Sequence, residues 1–218
     1  MTALDSIASL ESRADAHHHA ADLMRLAYQA QGLRAFESTR RCAALHEAGH
    51  CIVNTILADA EQGGQFWPPD STRIWRAPVK GLMVWLGETL PAKKAPPFHV
   101  DARVDLTGYL SYAVQTVGGI AAEMAFDGAD YRVGSSVDEW VVAGGCARVL
   151  ADFGLFADAE LALVSLLKTA TTMLTANESV VRAVAARLEA QRKVQGAELT
   201  ALLRAVQREA RPPITGGP

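Results

Sequence analysis

The 218-residue chain has no excess of basic residues, few cysteines and no long apolar run. Its 21 Lys and Arg residues against 24 Asp and Glu give a net charge of −3. No basic stripe supplies the counterion release on which nucleic-acid binding depends. The three cysteines form no C-x-x-C pair, which is typical of a reducing compartment, and we predict them to be small buried residues. The composition therefore argues against a nucleic-acid partner and a disulfide scaffold.

The sequence also contains no apolar segment long enough to be a candidate membrane span. The longest apolar run, 161–167, is interrupted by Ser165 and is far shorter than the roughly 18 residues that span a bilayer. Asp5 and Glu11 occupy the region where a secretory signal has basic residues followed by an apolar segment. We therefore predict a soluble, cytoplasmic protein with no membrane partner.

Hydrophobic periodicity predicts a mainly α (α+β) fold with one small sheet. We expect an N-terminal helical arm over 1–35, a single folded domain over 36–207 and a disordered tail over 208–218. A helix capped by Ser38 or Thr39 should continue through Leu57 with an apolar stripe on one face. Alternating residues over 72–77 and 81–86 predict a hairpin.

The rest of the domain is predicted to be loop and helix. The proline content of 87–104 favours a surface loop. Helical periodicity returns over 105–127, and a further helix should begin at Ser135 or Ser136 and run to about Phe153. The segment 158–207 reads as helix with breaks at Asn177 and Gly196, which predicts a C-terminal helical bundle.

The string His46-Glu47-Ala48-Gly49-His50 is an H-E-x-x-H motif inside the first predicted helix of the domain. On a helix its imidazoles lie about 40° apart on one face and about 6 Å apart along the axis, which suits a shared Zn²⁺. Glu47 would project beside the metal, where a carboxylate can take a proton from the water that zinc activates. The alternative is a solvated helix face with no metal. Glycine lowers helix propensity, so its presence at Gly49 indicates that another part of the chain packs closely against this face of the helix.

A catalytic zinc needs a third protein ligand and an open position for water. Periodicity favours two candidates. Glu123 lies in an apolar helical stretch, where a charge needs a partner. Asp138 is the second candidate, but its carboxylate could also serve as part of a capping box with Ser135 at a helix N-terminus. The downstream carboxylates are Glu61, Glu88, Asp101, Asp105, Glu123, Asp127, Asp130, Asp138 and Glu139.

Several short motifs, in order, resemble the peptidase domain of the FtsH family of AAA zinc proteases. They are the H-E-A-G-H string, Gly81-Leu-Met-Val, the Gly118-Gly119 helix with Glu123, Gly134-Ser-Ser-Val-Asp138 and Gln195-Gly-Ala-Glu-Leu199, which together cover about residues 38–205. The resemblance implies a zincin-like fold in which His46, His50 and Asp138 bind zinc and Glu47 is the catalytic base. It implies that Glu123 accepts a hydrogen bond from the ring N–H of a ligand histidine, on the nitrogen that does not bind the metal.

The chain also departs from the family's pattern. Ile120, Met124 and Val137 stand where the family usually has Arg, an acidic residue and Asn. No G-x-x-x-x-G-K-[ST] sequence is present, so we expect no ATPase activity from this chain. The resemblance then implies a hexameric ring of peptidase domains that depends on a separate ATPase or on substrates that are already unfolded.

The sequence therefore predicts a zinc metalloendopeptidase that cleaves short or unfolded polypeptides without its own ATPase. An exposed hairpin edge could bind the substrate as an added strand. The alternative function is a non-proteolytic interaction or assembly module that keeps the peptidase fold. A third interpretation is a different zincin in which Glu123, and not Asp138, is the third ligand.

Overall fold

The computed structural model describes residues 39–60, 67–79, 82–91, 105–127, 137–210 and 212. The predicted N-terminal arm lies outside these residues, as do most of the predicted loop and of the predicted tail. The elements are α1 (Arg40–Ala60), β1 (Pro69–Val79), β2 (Leu82–Pro91), α2 (Leu106–Thr116), α3 (Gly118–Phe126), α4 (Val137–Asp152), α5 (Ala159–Ala176), α6 (Glu178–Gln191), β3 (Lys193–Gln195) and α7 (Gly196–Leu203), followed by a 3-10 turn at Arg208–Ala210.

Helix α1 is the centre of the domain, because it packs against α3, α6 and both long strands. Its start follows the predicted cap: the Thr39 hydroxyl accepts a hydrogen bond from the Cys42 backbone N–H at 2.9 Å. The predicted apolar stripe is buried in the core, but so are residues on the other faces of this helix, such as Cys51, Val53 and Thr55. The stripe consists of Ala44, Leu45, Ala48, Ile52 and Ile56.

The described strands form one antiparallel sheet in the order β2-β1-β3. The predicted hairpin is confirmed, but it is longer than expected, since the pairing runs from Val79↔Leu82 to Pro69↔Pro91. The prediction of a loop was therefore wrong for residues 87–91. Pro91 lies at the end of the strand, where a missing N–H costs little. Strand β3 was also missed, because its three residues are held by pairing with β1 and carry almost no local signal.

The predicted helix over 105–127 is divided into α2 and α3, which meet at Val117. Its beginning is as expected, with the Asp105 carboxylate accepting from the Gly108 N–H at 2.8 Å. The break falls before Gly118 and Gly119, whose low helix propensity favours an interruption. The Gln115 carbonyl lies at this end of α2, where it accepts from the Val117 N–H, and it also contributes to the site described below.

The three cysteines are free and buried, as predicted. Burial raises the pKa of the Cys51 thiol to about 12, so this group is a neutral S–H at physiological pH. Among the described helices, none combines the length and the apolarity that crossing a bilayer requires.

Asn177 joins the C-terminal helices to the segment that follows them. This residue is 1% exposed. Its side-chain amide donates to the Met173 carbonyl at 2.9 Å and to the Gln207 carbonyl at 3.3 Å, and its oxygen accepts from the Gln207 N–H at 2.6 Å.

We expect Asn177→Ala to lower the free energy of unfolding by about 2 kcal/mol, because buried backbone groups lose their partners. Chemical denaturation measures this change, with exposed Gln191→Ala on α6 as the control, which should stay within about 0.5 kcal/mol of wild type. Equal effects of the two substitutions would show that the amide contacts do not hold the segment.

Candidate metal centre

The two motif histidines face each other across one turn of α1. Their Nε2 atoms lie 3.2 Å apart. His46 is 8% exposed and Glu47 is 5% exposed, so the motif is not the solvated helix face that was the alternative interpretation. The three chemically active side chains of the motif are enclosed by the elements that pack on α1.

Each imidazole is held from behind through its Nδ1 atom. For His46 the partner is the Glu123 carboxylate on α3, at 2.6 Å. For His50 the partner is the backbone carbonyl of Gln115, at 3.2 Å. Both partners are acceptors, so each Nδ1 carries the hydrogen. Each Nε2 then presents a lone pair to one shared point that lies between the two rings.

A carboxylate from α4 completes this arrangement. Glu139 Oε1 lies 2.9 Å from His46 Nε2 and 3.2 Å from His50 Nε2. The other oxygen, Oε2, is buried and has no hydrogen-bond partner among the described residues. Two imidazoles and one carboxylate therefore converge, and they form the group of potential metal ligands found in the described part of the chain.

The donor set fits a zinc ion. Ligands about 2.0–2.1 Å from a tetrahedral zinc are separated from one another by about 3.3 Å. The three separations here, 3.2, 2.9 and 3.2 Å, are close to that edge length. Two nitrogens and one carboxylate oxygen also match the ligand types of catalytic zinc sites, which leave a fourth position open.

A proton can occupy the same place when no metal is bound. Burial alone would lower the pKa of the His46 imidazole, but the charge of Glu139 and the hydrogen bonds that His46 donates to Glu123 and Glu139 raise it well above the ordinary value. Burial likewise opposes ionisation of Glu139, yet His46 and His50 hold the pKa of its carboxyl well below the usual range. The cluster thus favours a positive charge at the shared point.

Glu47 lies beside this cluster in a cavity of about 430 Å³ that is also lined by His50 and Glu139. Strand β2 borders the cavity and shapes the space around the carboxylate. A Cβ atom at Gly87 would overlap the Glu47 carboxylate, so a larger residue at that position would displace the carboxylate from where it now lies. The Thr89 hydroxyl donates to Glu47 Oε2 at 2.7 Å.

The structure brings together most of the residues that the sequence singled out. His46, His50 and Glu47 share one site, and Glu123 contacts His46 on the ring nitrogen that faces away from the shared point. Asp138 belongs to α4, but its side chain lies outside the described part of the chain, so its predicted role as a ligand remains a prediction. Glu139, which was among the candidate carboxylates but was not chosen, occupies the third position.

The close packing predicted at Gly49 is confirmed. A Cβ atom there would overlap the Gly118 carbonyl and the Ala122 side chain on α3. The same approach of α1 and α3 brings the His46 ring over Gly119, where a Cβ atom would overlap the imidazole. The glycines of the two helices therefore set the distance at which His46 can reach Glu123.

We expect Gly119→Ala to weaken zinc binding by more than tenfold, because the new methyl group displaces the His46 ring. Gly145→Ala on α4 is the matched control. It lies in a helix with nothing within 4 Å of its added Cβ, and it should raise the free energy of unfolding by about 0.5–1 kcal/mol. Zinc titration and denaturation of both variants test this, and unchanged zinc affinity in Gly119→Ala would contradict the placement of His46.

Comparison of the chain with protein-family models and with curated proteins finds no match. The resemblance to the FtsH family stays a prediction from the order of the motifs.

Proposed function

We propose that this chain is a zinc metallopeptidase with a zincin-like fold. The observation that carries the proposal is the convergence of His46 Nε2, His50 Nε2 and Glu139 Oε1, with the Glu47 carboxylate in the same cavity. A merely structural zinc has no use for a separate carboxylate beside its ligands. An open cavity next to the ligands is what a hydrolytic site needs and a closed structural site lacks.

The roles of the side chains follow from their contacts. His46, His50 and Glu139 would hold the metal, and Glu123 and the Gln115 carbonyl fix the two imidazole tautomers. Zinc, when bound, supplies Lewis-acid polarisation of the scissile carbonyl and of the attacking water. Glu47 accepts the proton of that water and later donates it to the leaving amine.

The edge of the sheet supports a polypeptide substrate. In the order β2-β1-β3, strand β2 has a strand partner on one side only among the described residues. Its residues 87–89 line the cavity that contains Glu47. An extended chain added to this edge would bring a backbone carbonyl past the metal ligands. Because such a substrate must be extended, we propose short or unfolded polypeptides.

The remaining parts of the proposal rest on the resemblance to the FtsH family. They are a C-terminal bundle of α5, α6 and α7, a homo-oligomeric ring, and a separate ATPase that delivers folded substrates. The packing of α5 on α3 and of α6 on α1 is compatible with the bundle.

Hydrolysis of an unfolded casein-like substrate by the full chain tests the proposed function. We expect cleavage with one zinc per chain, loss of cleavage after chelation and recovery when zinc is added back. A compactly folded protein of similar size serves as the control substrate and should be cleaved much more slowly. Zinc at one per chain without hydrolysis would contradict the proposal and favour the alternative of an interaction or assembly module.

A further inference from the structure

The Thr89 side chain, on β2, donates a hydrogen bond to the Glu47 carboxylate. Its hydroxyl lies 2.7 Å from Glu47 Oε2 and 3.3 Å from the Glu47 backbone oxygen. Thr72 lies opposite it in the β1–β2 register, with the two hydroxyl oxygens 3.0 Å apart. The Cys51 sulfur is 3.7 Å away on α1.

The direction of each hydrogen bond in this group is fixed by the chemistry of its members. An ionised carboxylate can only accept, so the single hydroxyl hydrogen of Thr89 goes to Glu47. Thr72, which is 0% exposed, must then donate to the Thr89 oxygen. The Cys51 thiol is kept protonated by burial, so its S–H can donate to the remaining lone pair of the Thr89 oxygen.

We propose that Thr89 is a positioning residue that fixes the carboxylate of Glu47 for its role as base, an inference that rests on the proposed function. Thr89 holds Oε2, while the missing side chain of Gly87 leaves room for the carboxylate. Oε1 is then the oxygen available to the attacking water. Residues two apart in a strand lie on the same face, so the Thr89 hydroxyl and the space at Gly87 both face the Glu47 carboxylate from β2.

Kinetics of Thr89→Val and Thr89→Ser separate positioning from packing. Valine keeps the shape and removes the hydroxyl, and we expect kcat to fall by about 10- to 100-fold with KM and zinc content unchanged. Serine keeps the hydroxyl and should restore kcat to near the wild-type value. Thr172→Val on α5 is the control, because its exposed hydroxyl donates only to the Lys168 carbonyl of its own helix. Equal kcat for the valine variant and wild type would overturn the proposal.

A double-mutant cycle in the metal-free protein tests the contact without using activity. Thr89→Val, Glu47→Ala and the double variant are unfolded chemically, and we expect a coupling of about tenfold in the unfolding equilibrium constant. Additive effects would overturn the inference even if the enzyme is active. If wild type shows no hydrolysis that depends on Glu47, the proposed function fails, and Thr89 as a positioning residue for catalysis fails with it. A coupled cycle together with loss of kcat in the valine variant supports the inference.

Discussion

Glu47→Gln is expected to lower kcat by about 10²- to 10⁴-fold, the contribution usual for a general base, while zinc still binds. Glutamine has nearly the same shape as glutamate, so it can still accept the hydrogen bond from Thr89. It cannot accept a proton from water at neutral pH. The three side chains that converge on the shared point are untouched by this change.

Single-turnover and steady-state assays on the unfolded substrate, with zinc content measured for each preparation, check this result. Glu178→Gln is the control, because its carboxylate is exposed and pairs with Arg182 on its own helix. That variant should keep the wild-type rate. Retained hydrolysis in Glu47→Gln would show that another group removes the proton.

Glu139→Gln should weaken zinc binding by more than the roughly 100-fold that loss of an outer hydrogen-bond partner costs. The reason is that an amide oxygen replaces a negatively charged ligand between two imidazoles. Glu123→Gln should cost about 10- to 100-fold, because it weakens only the hydrogen bond behind His46. Asp138→Asn should leave zinc affinity close to the wild-type value.

Competitive zinc titrations with a chromophoric chelator give all three affinities on one scale. The variant that loses the most zinc affinity identifies which of the three carboxylates is the third ligand. If Asp138→Asn has the largest effect, the ligand set implied by the family resemblance is correct and Glu139 is not the third ligand. If Glu123→Gln has the largest effect, the third interpretation, a different zincin, is correct.

Much of the fold could be predicted from the sequence, because its signals are local. The cap at Thr39, the apolar stripe of α1 and the alternation of the hairpin each depend on neighbouring residues only. Strand β3 and the end of β2 depend on pairing with β1, and tertiary contacts there outweigh the composition around Pro91. The contact between Thr89 and Glu47 was missed for the same reason.

In the candidate site, too, the features set by local sequence could be predicted and those set by tertiary packing could not. The H-E-x-x-H spacing predicted the His46–His50 pair, because one helical turn fixes their separation. The apolar surroundings of Glu123 predicted that its charge needs a partner, and the partner is His46. The third ligand could not be chosen in this way. Consecutive helical residues project about 100° apart, so choosing between Asp138 and Glu139 requires the orientation of α4 against α1.

Zinc-edge anomalous diffraction from crystals of the zinc-loaded protein locates the metal and identifies its ligands. We expect a single strong peak about 2.0–2.2 Å from His46 Nε2, His50 Nε2 and a carboxylate oxygen of Glu139. A peak bound by the two imidazoles and Asp138, or no peak between the imidazoles in crystals rich in zinc, would contradict this expectation.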